Sequence, residues 1–396
     1  MASRTNSQEE PRGRPRLRAV LASPGALPLL AARSLGSLPI GMVPLGIILL
    51  LRAKGHGYAL AGLADGAYAA GVAVMQPPLG RLIDRFGMVS ILGPLTIVFP
   101  GTLVAFILAA SAGAPAPAIV ALALLSGATL PPLGACMRVL WPRLVAREGL
   151  RGTAFALDAT MQELSFVLGP PLLALLVAVA GARTGLFAAA GAGLAGTAVF
   201  AVRARPHRLQ VERHGGALRS AGVRRVLAVS LLLGGGFGAV EVALPAFSEL
   251  HGARPAAGLL LAALAFGSAC GGLAFGGRGA RLEPHRRLAI CLGAYAVLAT
   301  PLLVVPSIPL MALCIFVSGL PIAPVFAGSY TLLDRHAVAG TLTETFAWNT
   351  TMIFVGASIG TAVGGALIAS VSYRASVGLS VVLGAAALLF VLRRPR

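Results

Sequence analysis

Gly80-Arg-Leu-Ile-Asp84-Arg85-Phe-Gly87 is a short charged turn that separates two long apolar runs of the sequence. The runs cover residues 58–79 and 89–112, and each has the ~20 residues that a helix needs to cross the hydrocarbon core of a bilayer. Charged side chains such as that of Asp84 are costly to leave in hydrocarbon. We therefore expect the turn to lie at a membrane surface, between two membrane-spanning helices.

The composition extends this interpretation to the whole chain. Of its 396 residues, 57% are hydrophobic and 11% are charged, and the mean hydropathy is +0.86. A soluble domain of this size has no use for so much apolar surface, because geometry limits the fraction that it can bury. About twelve apolar runs, joined by short loops, occupy nearly the entire sequence. We predict an all-α integral membrane protein with twelve transmembrane helices.

The net charge of +19 is distributed in a way that argues against a nucleic-acid partner. Nearly all basic residues fall in alternate loops, as the positive-inside rule predicts for a membrane protein. The basic segments are residues 4–18, 81–85, 143–151, 203–225, 278–287, 335 and 393–396. We expect a multi-pass protein of the cell membrane with an even number of spans, and with both termini and the middle loop in the cytoplasm.

One polar stretch precedes the predicted spans, and a second divides them into two groups of six. Residues 1–25 have the composition of a disordered, basic cytoplasmic tail. Residues 203–225 form the longest polar stretch inside the chain and have the composition of a cytoplasmic linker. We therefore predict an N-terminal six-helix half at 26–202 and a C-terminal six-helix half at 226–396, which ends in a short basic tail.

The two halves repeat each other in sequence. The segment 155–161 of span five matches 346–352 of span eleven, at an offset of 191 residues (346 minus 155). Residues 126–127 of span four match 318–319 of span ten, at an offset of 192 (318 minus 126). Prolines follow in both cases, and the pair at 131–132 is expected to kink span four. Matches in the same order indicate two parallel, pseudo-symmetric halves.

The charged turn resembles the signature loop between the second and third helices of the major facilitator superfamily. That loop reads Gly, three residues, Asp, a basic residue, one residue, Gly and then a basic pair. Gly80, Asp84, Arg85 and Gly87 occupy the first four places, whereas residues 88–89 are not basic. The resemblance implies a transporter whose halves rock around a central cavity. It also implies that Asp84 and Arg85 latch one state against the start of span eleven.

Ionisable and amide side chains inside the predicted spans are the candidates for binding a proton or the substrate, because such residues are usually functional there. They are Arg33, Asp65, Arg138, Asp158, Gln162, Glu163 and Glu241. Glu163 lies near the middle of span five, where its carboxyl group either exchanges a proton or pairs with Arg138 of span four. Asp158 and Gln162 share a polar stripe along span five. Arg33 and Arg138 either extend to the membrane surface or contact an anionic substrate or a paired acid.

Small residues in spans five and eleven form a further pattern. Gly169-Pro170 resembles the glycine motif in the fifth helix of family members that export drugs by antiport, although the flanking glycines of that motif are missing. In span eleven, Gly356, Gly360 and Gly364 have the glycine spacing but lack the proline. Close packing of helices through small residues is the alternative interpretation.

The scarcity of aromatic and amide residues in the predicted spans indicates the substrate class. Aromatic residues make up 6% of the chain, and the amides inside the spans are Gln76, Gln162 and Asn349. Sugar sites stack on aromatic rings and are backed by amides, so an apolar or amphipathic compound fits better. We therefore favour proton-coupled efflux of such a compound by an antiporter. An importer or facilitator of a small metabolite is the alternative.

A membrane-embedded enzyme or a lipid-handling protein is a more distant alternative. The sequence has neither a catalytic cluster at the interface nor a Gly-rich phosphate loop that ends in Lys-Ser or Lys-Thr. We expect no enzymatic activity, no catalytic residue, no cofactor and no metal. The expected partners are a small-molecule substrate, a proton or other ion gradient and the lipid bilayer, with the protein as a monomer. The single lysine, Lys54, and the abundance of Arg, Ala and Gly indicate a bacterial source.

Overall fold

The computed structural model of the chain describes residues 14–56, 58–145, 147–205, 216–253, 256–278 and 283–392. Nearly all of these residues are helical, and the described ranges contain no strand. The helices are α1 (Arg14–Leu21), α2 (Ala26–Ala53), α3 (Tyr58–Phe86), α4 (Met88–Ser111), α5 (Ala116–Ala128), α6 (Leu133–Leu144), α7 (Glu148–Ala204), α8 (Ala221–Leu250), α9 (Ala256–Arg278), α10 (Pro284–Ala299), α11 (Ile308–Gly319), α12 (Ile322–His336), α13 (Leu342–Ser370) and α14 (Tyr373–Leu392). Short 3-10 helices cover Ala217–Arg219 and Thr300–Leu303.

These helices form twelve membrane-crossing segments in two six-helix halves, as predicted. The long helix α7 counts as two segments, because Gly181 has φ 82° and ψ 165° and breaks the helical path. Only glycine adopts such a positive φ without strain. α5 with α6, and α11 with α12, each form one broken span. α1 has 8 residues and is too short to cross a membrane.

Prolines cause the break in the fourth span of the first half. α5 ends at Ala128 and α6 begins at Leu133, so Pro131-Pro132 lies in the gap. A proline lacks the backbone N–H of a regular helix, and its ring clashes with the preceding turn. The kink predicted for this span is therefore confirmed, and Pro321 occupies the equivalent gap between α11 and α12.

Buried apolar side chains form three cores, which divide the bundle along its length. One core combines both halves, for example Leu140 and Phe155 with Tyr330. A second core belongs to the first half and receives Phe354 from α13 at its margin, and a third core, around Phe247, belongs to the second half alone. We call the end with the shared core, which carries α1, the 80–87 turn and the start of α13, the basic end. The halves are thus packed together at the basic end and have separate cores at the opposite end.

Residues 80–86, predicted as part of a turn, form the last part of α3, and Gly87 alone turns the chain into α4. Two domain boundaries also differ from the sequence prediction. The expected disorder of residues 1–25 is wrong for 14–21, which form α1 with Val20 fully buried in the shared core. Residues 1–13 lie outside the described residues. α8 begins at Ala221, within the predicted linker 203–225, because the Ser220 hydroxyl accepts a hydrogen bond from the Val223 amide (3.3 Å) and caps the helix. Residues 206–215 and 393–396 also lie outside the described residues.

Candidate functional site

The charged turn lies at the basic end, where it contacts the first turn of α13 in the other half. The two carboxylate oxygens of Asp84 accept hydrogen bonds from the backbone amides of Thr343 (3.1 Å) and Glu344 (2.8 Å). The first amides of a helix have no partner inside the helix, and the helix dipole favours a negative charge there. No side chain of its own caps α13. Asp84 therefore acts as the N-cap of a helix in the opposite half.

Arg81, rather than Arg85, provides the ion pair next to this cap. Arg81 Nε lies 2.7 Å from Glu344 Oε1, and the Arg81 side chain is 56% exposed whereas that of Glu344 is 4% exposed. Trp348 Nε1 donates to the same oxygen at 3.3 Å. Arg85 instead lies over the ring of its neighbour Phe86, 5.0 Å from the ring centroid. Among the described residues Arg85 forms no ion pair, so its expected part in the latch is not seen in this state.

The two glycines of the turn have different roles. A Cβ atom on Gly80 would lie 2.8 Å from Glu344 Cα and 2.9 Å from the Thr343 oxygen. Gly80 thus lets α3 approach the backbone of α13 closely enough for Asp84 to reach the two amides. Gly87 has φ 90°, which side chains rarely adopt, and it turns the chain from α3 into α4. A larger residue at Gly80 would therefore separate the halves, whereas one at Gly87 would strain the turn.

Further contacts hold the halves together on the same side of the bundle. Thr351 Oγ1 donates to the backbone oxygen of Ala73 at 2.8 Å. The Phe155 ring meets those of Phe346 and Tyr330, with centroids 6.3 and 6.4 Å apart. These contacts did not emerge as candidates from the sequence, although 155–161 and 346–352 are the matching segments of the repeat. The two segments that match each other in the internal repeat therefore contact each other at the interface between the halves.

Four of the predicted polar residues form one buried cluster inside the first half. Arg138 Nε donates to Asp158 Oδ2 at 3.0 Å, and Arg33 Nε lies 3.4 Å from Asp158 Oδ1. Arg33 also donates through Nη2 to Gln162 Oε1 at 2.6 Å. Arg33, Arg138 and Asp158 are almost completely buried. Arg138 thus pairs with Asp158, and the alternative in which Glu163 is its partner does not describe this state.

This cluster carries more positive than negative charge. Two guanidinium groups share the single carboxylate of Asp158, and Arg33 Nη1 is buried without a hydrogen-bond acceptor among the described residues. Arg138 is covered from the other half by the ring of Tyr330, whose centroid lies 4.0 Å from the guanidinium carbon. Such a cation–π contact offsets part of the lost hydration. Separation of the halves at the basic end would remove the ring and expose Arg138.

The remaining candidate acids lie apart from the cluster. Glu163 follows Gln162 directly, is half-buried at the middle of the first segment of α7, and has no hydrogen bond or ion pair with any described residue. Asp65 in α3 and Glu241 in α8 lie nearer the opposite end and likewise lack an ion pair within the described ranges. Those ranges also contain no group of three His, Cys, Asp or Glu side chains arranged to hold a metal ion. Glu163 is thus the candidate acid nearest to the buried cluster.

The small residues of spans five and eleven pack against the first helix of their own half. A Cβ atom on Gly169 would lie 2.7 Å from the Cα of Gly41 in α2. On α13, Gly356 and Gly360 press on the backbone oxygens of Leu231 and Gly235 in α8. Pro170 follows Gly169 within the helix, and Gly364 faces the Ser376 hydroxyl of α14. Close packing accounts for these glycines in this state.

The sequence matches one family model, that of the Major Facilitator Superfamily, over residues 25–343 and again over 226–396. A search of curated proteins finds no significant match. One similar solved structure is a bacterial homologue of the iron transporter ferroportin, in an outward-facing state with soaked iron. It has a TM-score of 0.76 and 14% identity, and the alignment covers 93% of this chain and 98% of that one.

Two other solved structures are similar over comparable lengths. The human organic anion transporter MFSD10 (TETRAN) has a TM-score of 0.72 and 15% identity, with 95% of this chain and 99% of that chain covered. The proton:xylose symporter XylE, bound to 6-bromo-6-deoxy-D-glucose, has a TM-score of 0.68 and 11% identity, with 92% and 94% covered. At these identities the likeness establishes the fold alone. Because the family match extends through both halves and the shared fold covers at least 92% of the sequence, the chain belongs to the Major Facilitator Superfamily.

Proposed function

We propose that this protein exports an apolar or amphipathic compound from a bacterial cell by alternating access, in exchange for protons. Its family and fold make it a membrane transporter of a small solute. The distribution of the three cores supports alternating access as the mechanism. Alternating access requires contacts between the halves that form at one end while the other end separates. Here the halves share a core only at the basic end, within the described part of the chain.

The contacts that close the basic end are of a kind that reverses readily. Beside the shared apolar core, they include one helix cap, a half-exposed ion pair and a few ring contacts. The Glu148–Arg335 pair across the halves is 3.8 Å long, with side chains 78% and 52% exposed, and contributes little at such exposure. The positive-inside rule supports a cytoplasmic basic end, in which case this state is closed to the cytoplasm.

An apolar or amphipathic substrate is supported by the amides of the spans, all three of which are engaged within the protein. Gln76 donates to the Leu130 oxygen at 3.3 Å, and Gln162 accepts from Arg33. Asn349 accepts from the Ser230 hydroxyl at 2.7 Å. The amide atoms that form these bonds are poor partners for the hydroxyl groups of a sugar, because each would first have to lose its present hydrogen bond. The second polar atom of Asn349, Nδ2, is buried without a partner among the described residues.

Proton coupling is assigned to Glu163. Its carboxyl group is unpaired and lies about 22 Å along α7 from Glu148, at 1.5 Å per residue. The adjacent cluster holds one guanidinium charge that Asp158 does not balance. An ionised Glu163 would balance it, and a protonated Glu163 would leave it in excess. Because Glu163 directly follows Gln162 of the cluster, proton exchange at Glu163 changes the net charge next to the cluster, whose Arg138 is covered by Tyr330 from the other half.

A screen of toxic compounds against cells with and without the gene would identify a substrate. That compound is then followed in proteoliposomes with an imposed pH gradient. We expect transport against the proton flux, and we expect Glu163→Gln to retain downhill exchange but to lose its response to the gradient. Glu148→Gln, an exposed acid at the basic end, is the matched control and should keep the response. Accumulation in the direction opposite to export would support the importer instead, and a normal response in Glu163→Gln would exclude Glu163 as the proton carrier.

A further inference from the structure

A cavity of ≈ 930 Å³ lies at the basic end of the second half, between α8, α10, α12 and α14. None of α3, α7 and α13 contributes to its described lining, so it is separate from the Asp84 cap and from the buried charge cluster. Its polar wall carries Arg225, His285, Arg286 and His336, with Glu283 as the acid among the lining residues. The wall is therefore positively charged.

The two arginines of this wall are free to bind a ligand. Neither Arg225 nor Arg286 forms an ion pair or a hydrogen bond with another described residue. The rings of His285 and His336 lie near each other, with centroids 5.7 Å apart. Gly222 makes room for this arrangement, because a Cβ atom there would lie 2.5 Å from His336 Cγ. Unpaired guanidinium groups beside two imidazoles are the donors expected around an anion such as a phosphate.

The rest of the lining is apolar and continues onto the outer surface of the bundle. The inner wall is formed by Val226, Val229, Leu288, Leu388 and Val391. At the rim, Ile290, Phe390 and Leu392 are 52%, 45% and 57% exposed. Exposed apolar side chains at this position on a membrane protein face the acyl chains of the bilayer. The cavity thus joins a positively charged wall to the hydrocarbon region.

We propose that this cavity binds an anionic phospholipid of the leaflet at the basic end. The phosphate lies between Arg225 and Arg286, and the acyl chains follow the apolar wall to Ile290 and Phe390. Basic pockets between transmembrane helices bind anionic headgroups on electrostatic grounds. A free inorganic phosphate is far smaller than a cavity of ≈ 930 Å³ and would leave its apolar wall without a partner. A zwitterionic lipid has no net negative charge with which to balance the positively charged wall.

The test uses the full-length protein, purified in a neutral detergent and titrated with dioleoylphosphatidylglycerol or dioleoylphosphatidylcholine while bound lipid is counted by native mass spectrometry. We expect one preferred phosphatidylglycerol. Arg225→Gln with Arg286→Gln should weaken its binding about thirty-fold, from ~1 kcal/mol for each arginine. The matched control is Arg203→Gln with Arg205→Gln, two exposed arginines at the basic end of the first half. This control should leave the affinity unchanged.

A second variant tests the apolar wall without a change of charge. Val391→Trp fills part of the cavity and should weaken phosphatidylglycerol binding, whereas it would not affect a small free anion. Equal affinity for the two lipids, equal losses in the two double variants, or displacement of the lipid by millimolar inorganic phosphate would each overturn the proposal. Circular dichroism of each variant shows whether the helical content is retained.

Discussion

Replacement of Asp84 by asparagine tests whether the trans cap of α13 stabilises closure of the basic end. The carboxylate accepts two backbone hydrogen bonds, from Thr343 and Glu344. Asparagine keeps one acceptor oxygen but presents its NH2 group to the second amide, so one hydrogen bond and the negative charge at the helix start are lost. Loss of a capping interaction costs about 0.5–2 kcal/mol. We take about 1.4 kcal/mol, which shifts the ratio of closed to open molecules tenfold.

The populations are measured by double electron–electron resonance between spin labels at Phe86→Cys and Ala221→Cys, in a background without the 4 native cysteines. Both positions are exposed at the basic end, one in each half. Asp84→Asn should raise the ratio of the long-distance population to the short-distance population about tenfold. Transport should slow, because the state closed at the basic end becomes less populated, while thermal unfolding of the inserted protein stays close to that of the wild type.

Glu148→Gln is the control for this experiment. It also removes one carboxylate from a contact across the halves at the basic end, but that contact is exposed and 3.8 Å long. Exposed pairs contribute about 0–1 kcal/mol, so the distance distribution should hardly change. Equal shifts in the two variants would show that charge alone matters at this end. An unchanged distribution in Asp84→Asn would refute the cap as a stabilising contact.

Two other substitutions test the interior of the bundle. Asp158→Asn leaves the buried arginines Arg33 and Arg138 without their carboxylate, so we expect a loss of about 3–5 kcal/mol in stability, seen as a lower thermal midpoint and lower yield; an unchanged midpoint would contradict the ion pairs. Gly360→Ala places a methyl group against the Gly235 oxygen and should destabilise the packing of α13 on α8 by about 1–3 kcal/mol. Gly365→Ala, in the same helix with nothing within 4 Å of the added carbon, should leave thermal stability nearly unchanged, and equal effects would contradict the packing argument.

The twelve spans and their two halves followed from the sequence because the length and polarity of a span are local properties. The contacts that residues 80–87 form with α13 were only partly predictable. The composition of residues 80–87 predicts a turn, whereas α3 continues as a helix to Phe86. In a helix, Arg81 and Asp84 are three residues apart and share a face, while Arg85 points about 100° away from Asp84. Had the helix been extended by one turn in the sequence prediction, Arg81 would have been selected, instead of Arg85, as the basic residue that acts together with Asp84.

The partner of Arg138 was not predictable for a different reason. Asp158 and Glu163 both lie in the first segment of α7, five residues apart and therefore on different faces. Which of them meets Arg138 depends on how α6, displaced by the Pro131-Pro132 break, packs against α7. That register is a tertiary property. The helix α1 was missed because its arginines dominate the composition, although Val20 has the burial of a core residue.

Because α13 is capped by Asp84 of the other half, opening of the basic end can also be followed by hydrogen exchange. When the halves part at the basic end, the amides of Thr343 and Glu344 lose Asp84 and must take up water, since no side chain of α13 replaces it. Each opening of the basic end thus exposes the backbone amides of Thr343 and Glu344 to water. Their deuterium uptake reports how often this end opens, without any label attached to the protein.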